Sequence, residues 1–177
     1  MTTNILLAGF GGQGILFAGK LLASTGMYNG RQVTWLPSYG PEMRGGTANC
    51  SVVIADDSIG SPLVPNPDIL IALNLPSYQK FHNSIVSGGM LISDSSLIAE
   101  KSGRDDITAH YIPATQMAKD SDMNGLANVI MLGKLIAASG IFTMDQLVAA
   151  MTKSIPASKA KLLELNKQAL DMGFNFK

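Results

Sequence analysis

The chain has 177 residues, 46% of them hydrophobic and 15% charged, and its 13 basic and 13 acidic side chains cancel to a formal net charge of zero. Balanced charge with no like-charge tail argues against electrostatic capture of nucleic acid or of an anionic membrane surface. Cys50 is the only cysteine, which excludes a disulfide framework and a self-sufficient iron–sulfur or Cys-rich zinc site. The N-terminus, MTTNILLAGF, has no basic segment ahead of a long apolar one, so a secretory signal is not expected. The most apolar stretch, VIMLGKLIAASGIF, spans 14 residues and contains Lys134, short of the ~20 needed to cross a bilayer. The expected location is the cytoplasm.

In chain order, residues 4–9 (NILLAG) form a short apolar run ending in glycine, the pattern of a buried strand. Ile15, Ala18, Leu21, Leu22 and Thr25 then recur at helical spacing, predicting a helix over 14–28. Gln32–Leu36 reads as a second strand, and strand–turn–helix–strand implies a parallel crossover. SYGPEMRGGT (38–47), with one proline and three glycines, is irregular. ANCSVVIA (48–55) is a strand closed by Asp56-Asp57, SPLVPNP (61–67) an exposed connector, and DILIAL (68–73) another buried strand. A helix is predicted over 76–86, with Pro76 early where its missing N–H is harmless. Strands follow at 88–94 and 107–113.

From residue 114 the pattern is helical. Asn124–Ser139 reads as one helix. Thr143-Met144-Asp145-Gln146 has the capping-box form, with Phe142 able to staple onto Leu147. Residues 158–172 place Leu162, Leu165, Ala169 and Met172 on one face, and Gly173 stands in the C-cap position. The expectation is a single α/β, Rossmann-like domain over 1–177. It has a largely parallel central sheet, an irregular loop after the second strand and a helical C-terminal part.

GFGGQG (9–14) satisfies the G-x-G-x-x-G pattern of a dinucleotide-binding turn. Such a site also needs an acidic residue at the end of the second strand to hold the ribose. That strand ends Trp35-Leu36-Pro37-Ser38, with no carboxylate. Two roles remain open for Gly11, Gly12 and Gly14: cradling an anion with the N–H groups that start the helix, or letting helix and strand pack closely. Gln13, an amide at the tip of the turn, is placed to hydrogen-bond something beyond it.

GFGGQG, SYGPEMRGG (38–46), the following TANCSVVI (47–54) and NVIMLG (128–133) together resemble the gamma subunit of 2-oxoacid:ferredoxin oxidoreductases, over essentially the whole chain. Tyr39 and Gly46 are closer to the 2-oxoglutarate and branched-chain members than to the pyruvate members, which tend toward S-F-G-P-E-R-R-G-A. Pro41-Glu42 argues against the indolepyruvate enzymes. The resemblance implies a complex that oxidatively decarboxylates a 2-oxoacid, 2-oxoglutarate foremost, forms its acyl-CoA and reduces ferredoxin. It also implies thiamine diphosphate, Mg²⁺, iron–sulfur clusters and coenzyme A, used with alpha and beta subunits and in some complexes a ferredoxin-like delta subunit. This chain has no G-D-G signature for the diphosphate–Mg²⁺ site and one cysteine, so it is expected to bind none of these cofactors alone and to be inactive alone.

Within the irregular loop, Pro41 stiffens the chain, and Gly40, Gly45 and Gly46 open backbone conformations closed to other residues. Ser38, Tyr39, Glu42 and Arg44 would then be presented in fixed directions. Arg44 offers a planar fork for a carboxylate or phosphate, Tyr39 an amphipathic contact; alternatively Glu42 and Arg44 only pair to hold the loop. The two glycine-bearing loops are expected at one end of the sheet, forming a face that docks on the thiamine-binding subunits. Asn128, an amide in an apolar helix, either joins that face or makes an internal bond. His82 and His110 lack partners spaced for metal ligation, and no catalytic residue is assigned. Stand-alone nicotinamide enzyme and stand-alone nucleotide- or CoA-binding module are the competing classes.

Overall fold

The computed structural model describes residues 1–38 and 47–177. One six-stranded sheet organises them, in the order β2-β3-β1-β4-β5-β6. The strands are β1 (Thr2–Phe10), β2 (Gln32–Ser38), β3 (Thr47–Ala55), β4 (Ile69–Ala72), β5 (Met90–Asp94) and β6 (Thr108–Ile112). β1 pairs parallel with β4, β4 with β5, and β5 with β6, whereas β3 lies antiparallel to both β1 and β2. Five strands therefore share one direction. The expected crossover from β1 to β2 differs in one respect: β3 is inserted between them. Hydrophobic periodicity marks strands but does not encode which strand becomes whose neighbour.

Ile5, Leu6, Leu7 and Ala8 are all buried, as a strand covered on both faces requires. Alternation sends Ile5 and Leu7 to one core and Leu6 to another. The larger core packs under α1 (Ile15–Tyr28), α3 (Ala114–Asp120), α4 (Ala127–Ser139), α5 (Met144–Ser154) and α6 (Ala160–Asn175). The smaller, on the opposite face, is closed by α2 (Leu75–Phe81) with Tyr78, Ile85 and Ile98. α2 is shorter than the predicted 76–86, giving way to a single 3₁₀ turn at His82–Ser84 before Ile85 turns extended. Its start is as expected: Pro76 sits in the first turn and the Asn74 side chain accepts from Ser77 N–H.

The capping box of α5 is formed, with Thr143 Oγ1 accepting from Gln146 N–H at 3.2 Å and Gln146 Oε1 accepting from Thr143 N–H at 2.9 Å. Phe142 and Leu147 are buried in the same core. α6 departs from expectation. It runs through Gly173 to Asn175, and its buried positions are Asn166, Ala169, Leu170 and Gly173, while Leu162 is exposed. Gly173 is no cap. A Cβ there would lie 1.8 Å from the Ile130 carbonyl oxygen, and one on Gly133 2.0 Å from that of Leu170. The two glycines let the backbones of α4 and α6 touch, which is how the nearly all-apolar α4 is covered. No helix among the described residues is long and apolar enough to cross a membrane.

Candidate functional site

β1, β4 and β5 run parallel, so their carboxyl ends and the amino-terminal ends of the helices that follow meet on one side, the region where open α/β sheets bind ligands. The register brings the 11–14 turn and the residues flanking the second glycine-bearing segment there: Phe10 pairs with Thr47, and Ser38 with Asn49. Phe10, which leads into the 11–14 turn, thus stands at the same end of the sheet as Ser38 and Thr47. Tyr39, Gly40, Pro41, Glu42, Arg44, Gly45 and Gly46 themselves lie outside the described residues. Ser38 closes β2 and is exposed.

Gln13 reaches beyond the turn, as expected, and its target is this chain's own backbone. Its Oε1 accepts from Phe10 N–H at 2.6 Å and its Nε2 donates to the Leu73 carbonyl at 2.9 Å. Both ends of the amide are engaged within the chain, clamping the turn onto the residue after β4. Asn128 takes the internal alternative. It is 4% exposed, and Nδ2 donates to the Gly14 carbonyl at 3.0 Å. Gly14 is left-handed, at φ +74°, and a Cβ on it would fall 2.4 Å from Asn128 Nδ2. Position 14 therefore needs glycine for both conformation and space, so that α1 and α4 can start side by side. Neither helix has a side-chain N-cap.

Among the described residues, the surface accessible at this end is largely apolar, with the amides of Gln13 and Asn124. One cavity of about 240 Å³ is bounded by Phe10, Gly11, Gly12, Gly14, Ile15, Leu16, Phe17 and Ala48. Another, of about 260 Å³, lies between the turn and α3, with Gly12, Gln13, Leu73, Leu97, Lys119 and Asn124 among its walls. Asp94, at the end of β5, is buried and spends its carboxylate on the N–H groups of Ser96 and Thr115 and on the Thr115 hydroxyl. It holds the first turn of α3 and is not offered to a ligand. A larger cavity, about 500 Å³, lies at the amino ends of the strands, beside Met1, Arg31 and Asp68, away from the 11–14 turn.

Cys50 is fully buried in β3, its thiol donating to the Ile15 carbonyl at 3.6 Å. Burial pushes the thiol pKa up to about 12. His82 shares a 2.8 Å hydrogen bond with Ser102, and burial together with Lys134 lowers the pKa of His110. Neither histidine stands at the loop end of the sheet. Sequence reasoning missed Phe10, Phe17 and Leu97, large apolar side chains left exposed here. The signal was present: the helical segment 15–28 carries a single charge, too few for a helix with a solvated face.

The family model described as pyruvate ferredoxin/flavodoxin oxidoreductase matches residues 4–176. The ketoisovalerate oxidoreductase subunit VorA of Methanothermobacter thermautotrophicus is 37% identical over 170 residues, covering 96% of this chain and 35% of the relative. This chain thus spans about a third of the length of that relative. The 2-oxoglutarate synthase subunit KorC of Methanocaldococcus jannaschii is 36% identical over 159 residues, covering 88% of this chain and 85% of the relative. Among solved structures, the gamma subunit of a keto/oxoacid ferredoxin oxidoreductase from Geobacter sulfurreducens superposes with a TM-score of 0.83 at 29% identity, covering 97% of this chain and 96% of that one.

Proposed function

We propose the function from one premise: the chain belongs to the pyruvate ferredoxin/flavodoxin oxidoreductase family, and within it to the gamma-type subunits of 2-oxoacid:ferredoxin oxidoreductases. The observation that carries the reading is the family match over residues 4–176. In the proposed role the chain supplies no redox or acyl-transfer group. It docks on the subunits that hold thiamine diphosphate and helps close their active site, through the turn at 11–14 and the segment 38–46. Oxidative decarboxylation, acyl-CoA formation and electron transfer to ferredoxin belong to the assembled complex.

The chain's own donors do not fit the iron–sulfur cluster of such a complex. A cluster takes several thiolates, whereas the one thiol here is buried, bonded to Ile15 and held protonated up to about pH 12. Among the described residues no three His, Cys, Asp or Glu side chains are grouped for a metal ion. Cofactors are accordingly assigned to alpha, beta and, where present, delta subunits.

The proposed substrate is 2-oxoglutarate, supported by the KorC relative, while Tyr39 and Gly46 within SYGPEMRGG favour it and the branched-chain 2-oxoacids over pyruvate. A branched-chain 2-oxoacid is the second reading, favoured by the 37% identity to VorA. The test is CoA-dependent reduction of ferredoxin by the purified complex with 2-oxoglutarate, 2-oxoisovalerate and pyruvate in parallel. Preference for 2-oxoglutarate supports the first reading, and preference for 2-oxoisovalerate the second. Arg44→Ala in the same complex tests the loop: unchanged activity and assembly would make it plain scaffold.

A further inference from the structure

α1 has the wrong chemistry for a helix facing water. Leu16, Phe17, Lys20, Ser24, Met27 and Tyr28 fall on one arc of about 120° at 100° per residue, and this is the arc left uncovered. Its opposite side (Ile15, Ala18, Gly19, Leu22 and Gly26) is buried against the sheet and the neighbouring helices. Phe17 is 38% exposed, Met27 53% and Tyr28 46%. Lys20 is the only charge on the arc, and Ser24 is half-buried. A surface helix normally turns charged and polar residues outward. α6 does so, with Lys161, Glu164, Gln168 and Asp171 exposed. α4 is as apolar as α1, but α6 lies over it. Among the described residues no element lies over the outer arc of α1 in this way, and the arc runs about 20 Å along the molecule, given 1.5 Å per residue over 14 residues. Patches of this kind mark protein–protein contacts.

Resting on the functional reading above, we propose that this arc of α1 is the seat of the subunit corresponding to the remaining two-thirds of the VorA-type chains. In that relative the present domain makes up 35% of one polypeptide, so the rest of the chain is fixed beside it at a one-to-one ratio. A domain that also occurs apart from that remainder, as in KorC at 85% coverage, needs a built surface to recover the same partner. Charge decides against a second copy of this chain. Lys20 lies near the middle of the arc, and Lys153 sits 4.2 Å from the centroid of the Tyr28 ring at its margin. A two-fold contact through the arc would bring lysine toward lysine, since an isologous interface pairs a patch with itself. The partner surface is therefore apolar, with a carboxylate opposite Lys20. Phe10, 38% exposed, continues the patch toward the 11–14 turn.

The test uses the complex. The affinity-tagged chain is co-expressed with the other subunits of its oxidoreductase, and the subunits recovered are quantified by mass spectrometry. Wild type and the control Leu63→Glu, on the distant 61–67 connector, are expected to recover them at one to one. Phe17→Glu combined with Met27→Glu is expected to lower recovery at least tenfold, while keeping the thermal midpoint and monomeric state of the isolated chain. Lys20→Glu is expected to lower recovery more than Lys20→Met. Full recovery by the Phe17/Met27 variant overturns the proposal and leaves the functional reading standing. So does an isolated wild-type chain that dimerises and becomes monomeric with those substitutions, because a second copy would then occupy the arc. Failure of the wild type to assemble with any 2-oxoacid oxidoreductase subunit overturns both.

Discussion

Asn128 and Gly14, 114 positions apart in sequence, meet where α4 and α1 begin, the Asn128 amide donating to the Gly14 carbonyl at 3.0 Å. This bond ties the glycine turn to the C-terminal half of the chain. Replacing Asn128 by Leu removes the donor, while the Gly14 carbonyl keeps its bond from Ala18 N–H at 3.0 Å, so the cost is that of one hydrogen bond, about 0.5–1.5 kcal/mol. Urea unfolding of Asn128→Leu against wild type measures it. Gly14→Ala should cost at least as much, because it combines a left-handed backbone with a Cβ placed 2.4 Å from the amide nitrogen. A Gly14→Ala chain as stable as wild type would contradict this geometry.

The close crossing of α4 and α6 gives a second expectation. Gly173→Ala drives a methyl into the Ile130 carbonyl, 1.8 Å from the ideal Cβ position. Backbone cannot yield as a flexible side chain does, so the cost falls at the upper end of overpacking, about 3 kcal/mol. In a domain of this size that lowers the thermal midpoint by roughly 6–12 °C. Ala169→Gly, one turn earlier, leaves a small void and should cost much less, about 1 kcal/mol.

Gln13 is expected to act on order in the turn rather than on a ligand. In Gln13→Ala the Phe10 N–H loses the acceptor now 2.6 Å away. Its hydrogen exchange should accelerate, with a global loss of about 1 kcal/mol. An unchanged Phe10 exchange rate would show that the clamp does not hold the turn in solution.

The Arg104–Asp106 pair predicts a pH dependence. The Arg104 guanidinium, hydrogen-bonded to the carboxylate at 2.7 and 2.8 Å, holds the Asp106 pKa down at about 2. A carboxyl lowered by folding contributes stability above its ordinary value of about 3.9 and loses it as pH falls toward the folded value. The difference in thermal midpoint between wild type and Asp106→Asn should be constant near neutrality and vanish between about pH 4 and pH 2. The pair is solvent-exposed and therefore salt-sensitive.

Cys50 reports on opening. Its thiol is buried, with a pKa held up at about 12, so little reactive thiolate exists in the native state. Ellman's reagent at pH 8 should leave the folded chain untouched and titrate one thiol per chain in guanidinium.

Much of this architecture is legible in the sequence, for identifiable reasons. The apolar run 4–9, the capping box at Thr143–Gln146 and the spacing Ile15, Ala18, Leu21, Leu22 each specify a local structure by themselves, and each element is found. Strand order is not legible, because β3 takes its place through pairing with both β1 and β2. Gly173 reads as a cap in sequence because a glycine near a helix end looks the same whether it stops the helix or admits another one. Gln13 reads as outward-reaching because its acceptor, the Leu73 carbonyl, lies 60 residues away. The outer arc of α1 is legible only in its single charge, Lys20, because the helical periodicity by itself marks the buried face and not what covers the other.

Activity of the complex reconstituted with and without this chain tests the proposed role most directly. The other subunits should reduce ferredoxin with 2-oxoglutarate and CoA only when this chain is added, and the chain alone should be inert. Full activity in its absence, or turnover by the isolated chain, would contradict that role.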